Sequence, residues 1–215
     1  MNRRTLNLLG LCAALPLLGA GLAACGTASS PPLRWYRLPT DLPDGEAPPG
    51  RPVPAPTATR VWELSSTLPM PEGLERDTLW VEEGAAGIRL LHGHRWAEPL
   101  RDTLPRLLRQ DLALWLPGLW TSPAPPEVLV AGRVQVELLA LAGNLPRRQV
   151  MAAARWVVTQ GAGAGGGAAG DATTRAHQAQ EVVPWTDAAP ESLVVAQRLA
   201  MWRLTRRIAV SLEQR

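Results

Sequence analysis

The chain of 215 residues contains no lysine, no phenylalanine, one tyrosine and only two cysteines, Cys12 and Cys25. Cys12 lies inside an apolar leader, so the mature protein keeps a single thiol and an internal disulfide framework is excluded. With phenylalanine missing, nine tryptophans supply nearly all the aromatic surface. The absence of lysine makes all 22 basic residues arginine. Beside abundant Ala, Pro and Gly, this reads as coding bias and carries no function by itself. An excess of one charge is lacking too. Without Arg3 and Arg4 of the leader, 20 basic residues face 19 acidic ones, which gives no broad attraction to nucleic acid. What is present, 46% hydrophobic and 19% charged residues, fits one globular domain with a real core.

The first 25 residues, MNRRTLNLLGLCAALPLLGAGLAAC, place Arg3 and Arg4 before an apolar stretch from Leu8 to Ala24. This is the order of an export signal. The stretch is about as short as a spanning helix can be and is broken by Pro16, Gly19 and Gly21, so a permanent membrane span is the second choice. Its end, Leu22-Ala23-Ala24-Cys25, resembles the bacterial lipobox. That resemblance implies diacylation of the Cys25 thiol and cleavage before it. The competing reading makes Cys25 a small residue beside an ordinary cleavage site. Each buried methylene of an acyl chain contributes roughly 0.8 kcal/mol, so two chains anchor lastingly where one does not. The expected organisation is a lipoprotein signal peptide over 1–24, a lipidated cysteine and tether over 25–33, and one domain over 34–215. By resemblance to enterobacterial lipoproteins, the lack of Asp after Cys25 points to the outer membrane, with the inner membrane the other placement.

In the mature chain, RWYRLP (34–39) and RVWELS (60–65) read as strands, and 78–82 with 88–92 as a hairpin. A helix is expected from near Glu98, with Leu100, Leu104, Leu107, Leu108, Leu112 and Trp115 on one stripe and Asp111 as its polar exception. Pro105 predicts a kink or a later helix start. Val134, Val136 and Leu138 alternate with Arg133, Gln135 and Glu137, and the segment 148–161 is the expected antiparallel neighbour. Thr173 to Val183 is the expected return strand. The C-terminal segment repeats Ala196, Ala200, Leu204, Ile208 and Leu212 every four residues, the mark of a second helix. The predicted fold is α/β, a single compact domain with a mostly antiparallel sheet and two main covering helices.

Several chemical motifs have plainer explanations. Gly161, Gly163 and Gly166 spell G-x-G-x-x-G, but no amphipathic helix follows to present its N-terminus to a phosphate, so a hairpin loop is expected. His92 and His94 could share a strand face, yet the third histidine, His177, is isolated. No metal and no cofactor are expected. Ser65, Ser66 and Ser192 lack a nucleophile elbow, and Glu82 and Glu83 point to opposite faces of a strand, so no catalytic set is expected. Arg95 and Trp96 carry two readings: they dock the strand-to-helix corner, or they contact a partner.

The leader ending LAAC, then WYRL, RWAEPL before a Leu-rich helix, VQVELLAL, and VVAQRLAMWRLTRRIAVSL together resemble the paraquat-inducible protein C-like lipoproteins. That family is also described as the ABC-type transport auxiliary lipoprotein component. The resemblance implies a compact α/β body held by lipid at the periplasmic face of a membrane. It also implies partnership with an MCE-domain membrane protein and an inner-membrane transport component in phospholipid movement between membranes. On it, Cys25 is the acylated residue, and Tyr36, Arg95, Trp96 and Glu98 are candidates for partner contact. Leu38, Pro99 and Leu100 also match its pattern. The segment after Pro69 and the glycine stretch depart from that pattern. The expected role is a non-enzymatic accessory subunit that self-associates and touches membrane lipid through its acyl anchor. The alternative is an envelope lipoprotein that binds a small hydrophobic ligand or lipid in a groove between helix and sheet.

Overall fold

The computed structural model describes residues 32–41, 43, 45–46, 60–116, 118–160 and 172–213. The expected signal peptide over 1–24, Cys25, the expected tether up to residue 31 and the glycine stretch 161–170 lie outside the described residues. Among the described residues eight strands and two α-helices follow one another: β1 (Arg34–Tyr36), β2 (Arg60–Leu64), β3 (Thr78–Glu83), β4 (Gly87–Trp96), α1 (Leu100–Trp115), β5 (Leu119–Thr121), β6 (Leu129–Asn144), β7 (Gln149–Gln160), β8 (Thr173–Pro184) and α2 (Pro190–Glu213). The short β5 and a 3-10 turn at Glu72–Glu75 have no periodic signal long enough to read in advance.

β6 organises the sheet. Its first half pairs with β2 and its end with β3, both parallel, while β7 runs antiparallel along the opposite edge. From these contacts the sheet extends as β1-β4-β3-β6-β2-β5, with β7 and then β8 on the other side of β6. The long ladders, β3–β4, β6–β7 and β7–β8, are antiparallel, as alternation predicts. The parallel pairs are short and join segments far apart in sequence, which no local pattern reveals.

Alternation along β6 buries Val134, Val136 and Leu138 and leaves Arg133 and Gln135 exposed. A register shift between Leu138 and Ala140 then brings Leu141 to the core. α2 packs on β6, β7 and β8, and its stripe of Ala196, Ala200, Leu204, Ile208 and Leu212 is buried. The small residues at 196 and 200 allow close approach to the sheet. The Leu and Ile side chains each contribute roughly 1.5–3 kcal/mol by leaving water. α1 begins at Leu100 and continues through Pro105 to Trp115, so the helix neither restarts after the proline nor stops at it. Arg101, whose carbonyl loses its helical partner to the proline, is exposed, which limits the cost.

The polar exception in the α1 stripe is the link between the helices. Both terminal nitrogens of Arg198 on α2 donate to the two carboxylate oxygens of Asp111 at 2.8 Å, with the side chains 2% and 3% exposed. Burial raises the Asp111 pKa above the ordinary carboxylate range, against the pull of the Arg198 charge. One helical turn along, Trp115 and Trp202 lie 5.5 Å apart, and the Arg198 guanidinium sits 5.7 Å from the Trp202 ring.

A buried pair stabilises little in total, but its halves cannot be separated cheaply. Asp111→Ala is expected to lower stability by about 3–5 kcal/mol in urea unfolding, because it strands Arg198. The double change Asp111→Leu with Arg198→Met should recover most of that loss. A single variant as stable as the wild type would show that the pair is solvated rather than buried.

Candidate functional site

The residues singled out in the sequence meet at one corner, where β1 and β4 end, α1 begins and α2 starts its first turn. β1 lies parallel to the last residues of β4, with Arg34, Trp35 and Tyr36 opposite His94, Arg95 and Trp96. Gly93, at φ 82°, lets β4 deviate just before this pairing, where the β3–β4 register also shifts. The Tyr36 hydroxyl is 2.8 Å from His94 Nδ1 and donates to Glu191 Oε1 at 3.1 Å. Arg34 donates to the same carboxylate at 3.3 Å. Glu191 is in the first turn of α2, where its own backbone N–H and then the Tyr36 hydroxyl hold its carboxyl below the ordinary range.

The RWAEPL segment performs mainly structural work. Trp96 is 5% exposed and belongs to the core, and its backbone N–H donates to the Asp77 carbonyl at 2.6 Å. The Ala97 N–H donates to the Tyr36 carbonyl at 2.7 Å, tying β1 to the corner. Arg95 pairs with Asp77 at the surface. Glu98, just ahead of α1, accepts from Arg106 at 2.6 Å and from the Thr103 hydroxyl at 3.4 Å. The Arg106 guanidinium is the main reason its carboxyl sits below the ordinary range. Tyr36, Arg95 and Glu98 therefore reach the surface around a tryptophan that does not.

The exposed aromatic of this corner is Trp35, 59% exposed on the outer side of β1. Sequence reasoning assigned it no role, although alternation with the buried Leu38 already places Trp35 on the outward side. His94 and Glu191 were also missed as partners of Tyr36, since the three lie on three separate elements. Among the described residues no group of three or more His, Cys, Asp or Glu is arranged to hold a metal ion, and His92 lies outside the Tyr36 cluster. Glu82 and Glu83 go to separate partners, Asn144 and Arg89.

A cleft of about 690 Å³ lies elsewhere, between α2 and β8. Its size suits the ligand-binding alternative, but Arg203, Arg206, Arg207, Glu46 and Glu181 give it a charged lining. No helix among the described residues is long and apolar enough to cross a membrane.

Two measurements check the corner. Trp96→Ala should cost about 3–5 kcal/mol of stability, whereas Arg95→Ala should cost no more than about 1 kcal/mol, as for other surface pairs. Equal losses would contradict the division of labour between them. Tyr36 is the only tyrosine, so tyrosinate absorbance reports it alone. Burial, followed by the Glu191 hydrogen bond and charge, raises its pKa above 10.0. The stability it contributes is therefore complete below the pKa of unfolded tyrosine and is lost as pH rises through the folded value. Glu191→Gln should lower the titration midpoint; an unchanged midpoint would show that the carboxylate does not act on the phenol.

A solved structure described as an uncharacterized protein superimposes with a TM-score of 0.63 at 13% sequence identity, covering 85% of this chain and 99% of that one. Protein XCC0632 from Xanthomonas campestris, of the DUF330 family, superimposes with a TM-score of 0.55 at 12% identity, covering 84% of this chain and 98% of that one. At these identities the likeness establishes the fold alone. No curated protein matches the sequence. A family model described as ABC-type transport auxiliary lipoprotein component matches residues 44–209. With most of its length inside that match, the chain belongs to the ABC-type transport auxiliary lipoprotein component family.

Proposed function

We propose that this protein is a non-enzymatic, lipid-anchored accessory subunit of an MCE-type intermembrane phospholipid transport system, held at the periplasmic face of the outer membrane. The observation that carries the reading is the family match over 44–209 together with a lipobox-like Leu22-Ala23-Ala24-Cys25 ahead of it. Acylated Cys25 supplies position, the tether supplies reach and the folded body supplies recognition. Anchoring turns a three-dimensional search into a locally concentrated one, so a modest interface suffices. An MCE-domain membrane protein and its inner-membrane transport component are the partners in this reading, and self-association matches the ring form of the former.

The corner around Trp35 is the surface assigned to that partner. A largely exposed tryptophan on a three-residue edge strand, flanked by Arg34, Tyr36 and Arg95, combines the residue types that dominate protein interfaces. The Tyr36–His94–Glu191 hydrogen bonds hold the strand in place, which reduces the ordering cost of binding.

Recovery of partners from solubilised membranes tests the role. Cys25→Ser should leave the membrane fraction and recover less of the MCE-domain protein, while the thermal unfolding of the body stays unchanged. Trp35→Ala should stay in the membrane and keep its stability within about 0.5 kcal/mol, yet also recover less partner. Full recovery with both variants would defeat the adaptor reading.

A further inference from the structure

The cleft between α2 and β8 has a chemistry that the adaptor role does not use. Its floor is His177 of β8, stacked on Trp156 with ring centroids 5.5 Å apart and planes at 10°. Its wall is the C-terminal half of α2, where Arg203, Arg206 and Arg207 fall within five residues and line the cleft. Two carboxylates, Glu46 and Glu181, stand among three guanidinium groups, so the cleft keeps one net positive charge with histidine neutral. The chain as a whole is close to neutral once the leader is set aside, so this excess is local.

Each arginine is held from one side and open on the other. Glu46 Oε1 accepts from Arg203 Nε and one terminal nitrogen at 2.9 and 2.6 Å, and the second terminal nitrogen has no partner among the described residues. Glu181 accepts from Arg207 Nε, and neither terminal nitrogen of Arg207 has a partner among the described residues. Arg206 lies over the Trp115 ring at 5.9 Å and has no carboxylate partner among the described residues. A solvated helix face carries arginines with many rotamers. Here two carboxylates and an aromatic face restrict the three side chains before anything binds, which is the condition for strong binding by a guanidinium fork.

We propose that this cleft binds a phosphate ester, with Arg206 and Arg207 donating to its non-bridging oxygens and Arg203 donating from the Glu46 side. Planar guanidinium forks match phosphate oxygens in geometry and charge. Ala179 and Val210, which also line the cleft, and the stacked His177 ring give the carbon portion of the ester an apolar resting place. The site does not depend on the adaptor reading and stands whether or not the protein meets an MCE-domain partner. The same chemistry accepts a soluble phosphate or the headgroup of an anionic phospholipid.

Calorimetric titration of the full-length protein in nonionic detergent tests this, with inorganic phosphate as one probe and micelles doped with phosphatidylglycerol as the other. Saturable binding of either probe is expected, with affinity falling by about tenfold or more in Arg206→Gln and in Arg207→Gln. Arg206→Gln breaks no ion pair among the described residues but removes the contact with Trp115, so its thermal unfolding midpoint is measured beside the titration, and an unchanged midpoint assigns the loss of affinity to the cleft. Arg89→Gln, on the distant β3–β4 hairpin, should bind as the wild type does. Binding of phosphatidylglycerol alone would identify the headgroup as the source, and binding of phosphate alone a soluble ligand. If neither probe binds, or if all variants bind equally, the proposal is overturned.

Discussion

The Asp111–Arg198 pair sets the rotation of both helices, and much of the surface chemistry follows from that rotation. With Arg198 turned inward toward α1, helical geometry carries Trp202 and Arg206 to the same side at successive turns, where Trp115 receives both. The opposite stripe of α2, from Ala196 to Leu212, is left for the sheet. Arg203 and Arg207 then fall between these two faces and look toward β8. A pair of charges that adds little net stability therefore specifies which arginines line the cleft. The buried Arg198 Nε and the indole nitrogens of Trp115 and Trp202 have no partner among the described residues, so this seam carries a polar cost that an apolar seam would avoid.

The corner at β1 and the cleft at β8 lie on different strands of one sheet and are tied to different ends of α2. Glu191 in its first turn anchors Tyr36, while Arg203, Arg206 and Arg207 in its last turns line the cleft. One helix thus supports both surfaces. Its fit to the sheet, through small residues at 196 and 200, holds them on a common scaffold.

The long elements were legible because their periods are strong. Val134, Val136 and Leu138 on β6 and the four-residue repeat of α2 take the faces that alternation and helical spacing assign them. The parallel pairings of β6 with β2 and β3 were not legible, because they join distant segments through register alone. Asp111 stood out as a charge in an apolar stripe, but its partner is 87 residues away and no local rule selects Arg198 among so many arginines. The RWAEPL segment left both readings open in sequence; the structure places Trp96 inside and Arg95 and Glu98 outside, so one motif divides between core and surface. Trp35 went unnoticed because edge position, which makes its exposure meaningful, depends on β1 pairing with β4 alone.

Lipid attachment at Cys25 is the premise on which an accessory role at a membrane stands. The direct measurement is the intact mass of the protein extracted from membranes. The account predicts a chain beginning at Cys25 and carrying a diacylglyceryl thioether and an acylated amine. A chain with a free thiol at Cys25, recovered in the soluble envelope fraction, would contradict it.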